Sequence, residues 1–212
     1  MKAGGAEMKK LFDMDNPVMK ALSVAADLIV LNLVTLLCSI PVVTAGAAIT
    51  AMNDIVIRIV HEEESYILKP FFVSFASNFK KGALMSLIML SAAAVFGVDF
   101  YAAKTYMPVM RAAVVAGVIL FLAIALYAFA LLARYENTLG KTLKNAVLLS
   151  ITHFPRTLVM VLFTVGMWFV CIRYYNFGAA FLFLFGLSLP CYISILMINK
   201  VFNKLDNDDR TE

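Results

Sequence analysis

Two stretches that carry no charged side chain constrain this chain more than any other feature. Ala112 to Ala133 runs 22 residues and Tyr174 to Asn199 runs 26, whereas about 20 apolar residues suffice to cross a hydrocarbon core of about 30 Å. A chain that crosses lipid must satisfy its own backbone N–H and C=O groups, which continuous helices do within each segment. Composition points the same way, since 62% hydrophobic residues and a mean hydropathy of +0.87 over 212 residues exceed what a soluble domain keeps in solution. The fold class expected is therefore all-α, a polytopic membrane helical bundle.

Apolar runs between charges place six spans at about Ala21–Ile40, Thr44–Ile59, Ala83–Tyr101, Ala112–Ala133, Leu158–Tyr174 and Phe177–Ile198. The second contains Asn53, Asp54 and Arg58, and an ionisable group at bilayer depth costs several kcal/mol. The positive-inside rule arbitrates, because cytoplasmic loops collect Lys and Arg. With six spans and a cytoplasmic N-terminus, only Lys104, Arg111 and Arg173 lie outside, three of the 18 basic residues, whereas the best five-span arrangement leaves seven outside. The organisation expected is a cytoplasmic N-terminal segment (1–20), a single transmembrane domain (21–199) and a polar cytoplasmic tail (200–212). Met1 to Lys20 is too long and polar for the n-region of a signal peptide, and the apolar stretch after it exceeds the usual h-region. The first helix is expected to be retained, although Ala45-Gly46-Ala47 looks like a small-residue cleavage site.

This topology gives short outer connections at Pro41–Val43, Ala102–Arg111 and Tyr175–Asn176, and longer inner ones at His61–Gly82 and Arg134–Arg156. Tyr101, Tyr106, Trp168, Tyr174 and Tyr175 fall towards the outer interface, where amphipathic rings prefer to lie. Two inner segments, Pro70–Lys81 and Lys141–Arg156, place apolar residues at helical spacing before a basic pair or Pro-Arg and then a long span. Two short cytoplasmic interfacial helices are expected there, and the pattern suggests a twofold internal repeat of interfacial helix plus helical hairpin. Gly46-Ala47-Ala48, Ala93 with Gly97, and Ala113 with Gly117 supply small residues through which helices approach closely.

Little in the chain could carry chemistry. Cys38, Cys171 and Cys191 lie in apolar runs without a C-x-x-C pair, and His61 and His153 are the only histidines. No phosphate-binding loop, nucleophile elbow or zinc-protease motif appears. No catalytic residue, metal site or cofactor is assigned, and an enzyme is not expected. The net charge of +4 is spread through short loops with no basic stripe interleaved with aromatics, which argues against a nucleic-acid partner.

The polar residues inside the spans are the candidate site. Asn32, Thr35 and Ser39 share one face of the first helix, while Thr50, Asp54, Arg58 and Glu62 step by four along the second, with each acid able to approach Arg58. Such groups either line a polar cavity or substrate path, or act as interhelical hydrogen-bond glue with an ion pair at the cytoplasmic interface. Asp27 and Asp99 read as interfacial. At the outer turn, Pro41 ends the first helix, Thr44 is expected to cap the second through its hydroxyl, and Gly46 lets that helix pack closely.

A longer pattern joins these positions. Leu11-Phe12-Asp13, Asp15-Asn16-Pro17, Asp27-Leu28-Ile29-Val30-Leu31-Asn32, Ser39-Ile40-Pro41-Val42-Val43-Thr44-Ala45-Gly46-Ala47-Ala48 and Thr50-Ala51, with Phe75, Asn78, Phe79 and Lys80 further on, resemble the YesL-like family (DUF624) of bacterial integral membrane proteins. Thr35 departs from it, standing where many relatives carry a bulky aromatic. The resemblance implies a multi-pass protein of the bacterial plasma membrane, with both termini cytoplasmic, whose genes accompany carbohydrate ABC importers and sugar-responsive regulators. It supplies no ligand-binding or catalytic residues.

Two functions are expected from this reading. One is a non-enzymatic accessory or regulatory component of carbohydrate uptake, whose partners are the lipid bilayer and an ABC permease or sensor met through the basic inner loops. The alternative is a small-solute transporter or channel in its own right, with a path lined by the first two helices. Oligomeric assembly is left open.

Overall fold

A computed structural model describes residues 17–61, 66–106 and 108–208, with side chains placed over 18–61, 66–102, 111–174 and 178–199. The described residues form nine helices: α1 (Pro17–Cys38), α2 (Val42–Val60), α3 (Leu68–Ser77), α4 (Phe79–Tyr106), α5 (Pro108–Arg134), α6 (Leu139–Thr152), α7 (Phe154–Arg173), α8 (Tyr175–Phe185) and α9 (Ser188–Asp208). Glu62 and the Leu11–Asn16 part of the sequence pattern lie outside the described residues.

Five helical segments are long and apolar enough to cross a membrane: Val18–Cys38, Val42–Val60, Phe79–Ala102, Arg111–Arg134 and Phe154–Arg173. Counting Gly178–Phe185 and Ser188–Asn199 as one span, two pieces bent by 54° at the break between them, brings the number to six. The protein is thus an all-helical polytopic bundle, and α2 belongs to it despite its polar residues. Half of the most apolar stretch of α2 is buried inside the protein, against 17–33% in the other four. The span least suited to lipid is the one most enclosed by its neighbours, which is how polar groups at membrane depth are made tolerable.

Several boundaries differ from expectation. Proline is well accommodated in a helix's first turn because its missing N–H is unpaired there anyway, so α1 starts at Pro17 and α5 at Pro108. Most of the Ala102–Arg111 connection is consequently helix, leaving Met107 between α4 and α5. The supposed tail is helical through Asp208. The last span, expected to be one helix, is two, with its break at Gly186 and Leu187.

The two short helices fall where the amphipathic patterns lie. α3 buries Phe71 and Ser74 against α2, and α6 buries Thr142, Ala146, Leu149 and Ser150 beside α5. Each returns alongside the span before it and then passes through one non-helical residue, Asn78 or His153, into the next long helix. The correspondence continues: Gly82, the fourth residue of α4, meets Gly46 of α2, and Thr157, the fourth residue of α7, donates to the Tyr127 hydroxyl of α5 at 3.3 Å. The units α2–α3–α4 and α5–α6–α7 therefore share one plan.

Lengths agree with the first of these contacts. At 1.5 Å rise per residue, Gly46 to Val60 covers about 21 Å and Leu68 to Gly82 the same, so the contact sets the start of α4, with Lys80 and Lys81, beside the Pro41 end of α2 and not at its Val60 end, where the whole His61–Gly82 connection was expected. The two glycines meet because no side chain separates the backbones. A Cβ on Gly46 would overlap the Gly82 carbonyl, and one on Gly82 would stand 2.6 Å from Ala47 Cα. Lipid supplies no hydrophobic drive for helices to associate, so close backbone packing of this kind is a principal source of cohesion. The other small-residue positions behave differently: Gly117 faces the Phe96 ring, and Gly97 has nothing within 4 Å of its would-be Cβ. Gly82→Val is expected to destabilise the purified protein by about 1–3 kcal/mol, the range for overpacking, whereas Gly97→Val leaves the thermal unfolding midpoint in detergent unchanged.

Candidate functional site

The intramembrane polar residues do not share one role. Asn32 and Thr35 are fully buried, and Ser39 is partly so. Thr35 donates its hydroxyl to Leu31 O at 2.7 Å and Ser39 to Thr35 O at 2.7 Å, each closing a bond within α1. In α2, Thr50 does the same to Gly46 O at 2.7 Å and Asn53 to Ile49 O at 2.8 Å. A hydroxyl or amide that bonds back onto its own helix needs no outside partner. Asp54 and Arg58 pair along α2 with Nε to Oδ1 at 3.4 Å, the acid 19% exposed and the guanidinium 42%. Among the described residues, no hydrogen bond joins the α1 set to the α2 set.

Asn32 reaches across the bundle, and its target is the break in the last span. In an unbroken helix the N–H of Leu187 would bond the carbonyl of Phe183. Here the Asn32 amide is inserted into that rung: its Nδ2 donates to Phe183 O at 2.7 Å, while its Oδ1 accepts from Leu187 N at 2.8 Å and Ser188 N at 3.0 Å. One side chain thus terminates α8 and starts α9, and a side chain inserted into the ladder is a recognised cause of a sharp kink. A further rung is lost three residues on, because Pro190 has no N–H to offer Gly186 O. The indole of Trp168 fills it, donating from Nε1 to Gly186 O at 3.1 Å. Trp168 was read in sequence by its position towards the outer interface; its indole N–H is spent on this carbonyl.

The outer-turn residues also take a different arrangement. Pro41 is extended, with φ −75° and ψ 117°, and α2 begins directly after it at Val42. Thr44 is therefore inside the helix and does not cap it. Its hydroxyl donates to Pro41 O at 2.7 Å and Cys38 O at 2.6 Å, so it ties the end of α1 to the start of α2. The physical reason is that α1 stops at Cys38, two residues earlier than expected, which leaves its last carbonyls in reach of a donor.

Two cavities adjoin these elements. The first, about 610 Å³, is bounded by Ile49, Met52 and Asn53 of α2, Ala125 and Leu126 of α5, Val161 to Ile172 of α7, and Gly186 to Ser194 around the break. Its walls are almost wholly apolar. The second, about 890 Å³, lies between α1, α2 and the start of α3 and is lined by Asp27, Val30, Arg58, Tyr66, Ile67, Lys69 and Val73. Asp27 and Arg58 were singled out in sequence. That they share a groove with Lys69, and with a Tyr66 that is 82% exposed, depends on how α3 folds back. Among the described residues, no three His, Cys, Asp or Glu side chains gather closely enough to hold a metal ion.

Comparison with known families finds one match, over residues 28–100, to the model described as a protein of unknown function, DUF624. The match covers 73 of the 212 residues. The matched segment contains α2, α3, the Gly46–Gly82 contact and Asn32, so it supplies the amide that caps the break, while the break itself lies beyond the match. No curated protein and no solved structure matches the chain.

The cap is testable apart from any function. Asn32→Leu strands one carbonyl and two N–H groups at the break, at about 1–3 kcal/mol for each buried group left unpaired. We expect faster amide exchange at Leu187 and Ser188 and a lower unfolding midpoint. Thr35→Val, which removes only a bond within α1, leaves both unchanged.

Proposed function

We propose that this protein is a non-enzymatic accessory or regulatory component of carbohydrate uptake, held in the bacterial plasma membrane by six spans with both termini in the cytoplasm, and that it meets an ABC-type permease or sensor through the groove lined by Arg58, Tyr66 and Lys69. The carbohydrate link rests on the YesL-like resemblance. The observation that carries the docking role is the groove itself, in which two cations and one acid border an exposed tyrosine and the apolar Val30 and Val73. Charged groups around an exposed aromatic give a partner both orientation and a centre of binding energy. The positive-inside bias supports a cytoplasmic position for this groove, since Arg58 and Lys69 fall on the basic side.

Back-bonding of Thr35, Ser39, Thr50 and Asn53 supports the same reading, because hydroxyls and amides already bonded to their own helices make a poor solute path. One observation favours the transporter alternative: a span interrupted at depth is the construction by which many transporters form their sites. Its two ends are here occupied by Asn32, which weighs for the accessory role.

Pull-down in mild detergent tests the proposal. An importer permease or sugar sensor is expected to co-purify with the wild-type chain, and the double variant Arg58→Glu, Lys69→Glu is expected to lower its recovery about tenfold, the scale of reversing a charged contact at an interface. Recovery of no partner, with growth on sugars unaffected by deletion, overturns it; flux through reconstituted vesicles that Asn32→Leu abolishes would establish the transporter instead. Orientation is read separately. A single cysteine at Asn137 in a cysteine-free background should resist an impermeant thiol reagent in intact cells, while one at Tyr174 reacts.

A further inference from the structure

We infer that the cavity beside the broken span is a binding site for one acyl chain of a membrane lipid, entered sideways from the bilayer, with the Ser194 hydroxyl bonding the lipid's carboxyl or ester oxygen. The volume of about 610 Å³ is within the roughly 300–1,000 Å³ of small-molecule sites. Its chemistry is selective. Leu122, Ala125 and Leu126 face Val161, Val165 and Phe169 across a space that offers water no row of partners, which suits a saturated chain and excludes a sugar or an ion.

Two further observations point to this occupant. Val165, Phe169 and Ile172 line the cavity while standing 46%, 69% and 64% exposed, so the space opens across the lipid-facing side of α7 and its nearest neighbours are acyl chains. Ser194 is the second. It lines the cavity, is 4% exposed, and its Oγ is buried without a hydrogen-bond partner. A hydroxyl left unpaired in such surroundings is costly, and an oxygen at the head of an acyl chain would satisfy it. The other polar groups of the wall are committed: Thr164 donates to Met160 O, Asn53 to Ile49 O and Trp168 to Gly186 O. The break is what makes the space, since a straight helix would carry Cys191 and Ser194 along the line of α8. The site is independent of the docking role proposed above.

Trp168 is the only tryptophan in the chain and lines this cavity, so its fluorescence reports occupancy directly. Purified protein in detergent is titrated with dibromostearate, whose bromines quench only at close range. Quenching is expected to saturate and to be reversed by excess unbrominated stearate. Ala125→Phe, which fills the cavity, is expected to abolish the saturable component, and Ser194→Val, close in size and retaining the apolar wall, to weaken apparent affinity about threefold to tenfold. Trp168 emission without probe should be unchanged in both, since its bond to Gly186 is untouched. Quenching that rises linearly with bulk bromide and never saturates indicates ordinary boundary lipid and overturns the site. So does saturable quenching that neither variant reduces. If Ala125→Phe does not fold, the Ser194→Val comparison decides alone.

Discussion

Backbone amides that cannot reach water must find partners inside the protein, and for a chain this apolar that requirement governs everything else. Unbroken helices meet it automatically, which is why five spans need no help from side chains beyond packing. The last span does not, because its ladder is interrupted at the Leu187–Phe183 rung and again at Pro190, which leaves carbonyls and N–H groups without partners in their own helix. Asn32 and Trp168 supply the missing partners from α1 and α7. The first helix is consequently bound to the last, closing the bundle by directional bonds where lipid offers no hydrophobic force between helices.

The rest of the architecture follows from how polarity is distributed over the spans. α2 carries an asparagine and an ion pair, so it is drawn to the middle and its polar atoms are bonded along its own axis. α4 and α7 are apolar enough to face lipid over most of their surface, and their exposed leucines, valines and phenylalanines need no cover. Between these extremes the short helices α3 and α6 bury one stripe on the preceding span and leave Phe72, Val73, Leu148 and Ile151 outward. The groove lined by Arg58 and Lys69 and the cavity beside the break are two places where this packing stays open, one bordered by charge and the other almost purely apolar.

Much of this was legible before any coordinates. Uninterrupted apolar runs marked the spans, and helical spacing marked α3 and α6. The misreadings share one cause, which is that local rules describe a helix in isolation. Gly186 and Pro190 look harmless because both residues are common in membrane helices, and the amide that stabilises the interruption comes from 151 residues away. Thr44 read as a helix cap, yet its hydroxyl was wanted more by the carbonyls ending α1. Gly82 escaped notice because it follows two lysines, although Ser86 stands four residues on, whereas Gly97, with Ala93 four residues before it, touches nothing.

What the residues determined by themselves was the solvent, since so many apolar side chains leave lipid as the only medium in which they are stable, and with it the helical class and the pairing of Asp54 with Arg58 one turn apart. What only the tertiary structure decided was the use of Asn32, the bend of the last span and the spaces on either side of α2. These depend on distances between segments remote in sequence, and periodicity carries no information about which distant backbone group a buried amide will meet.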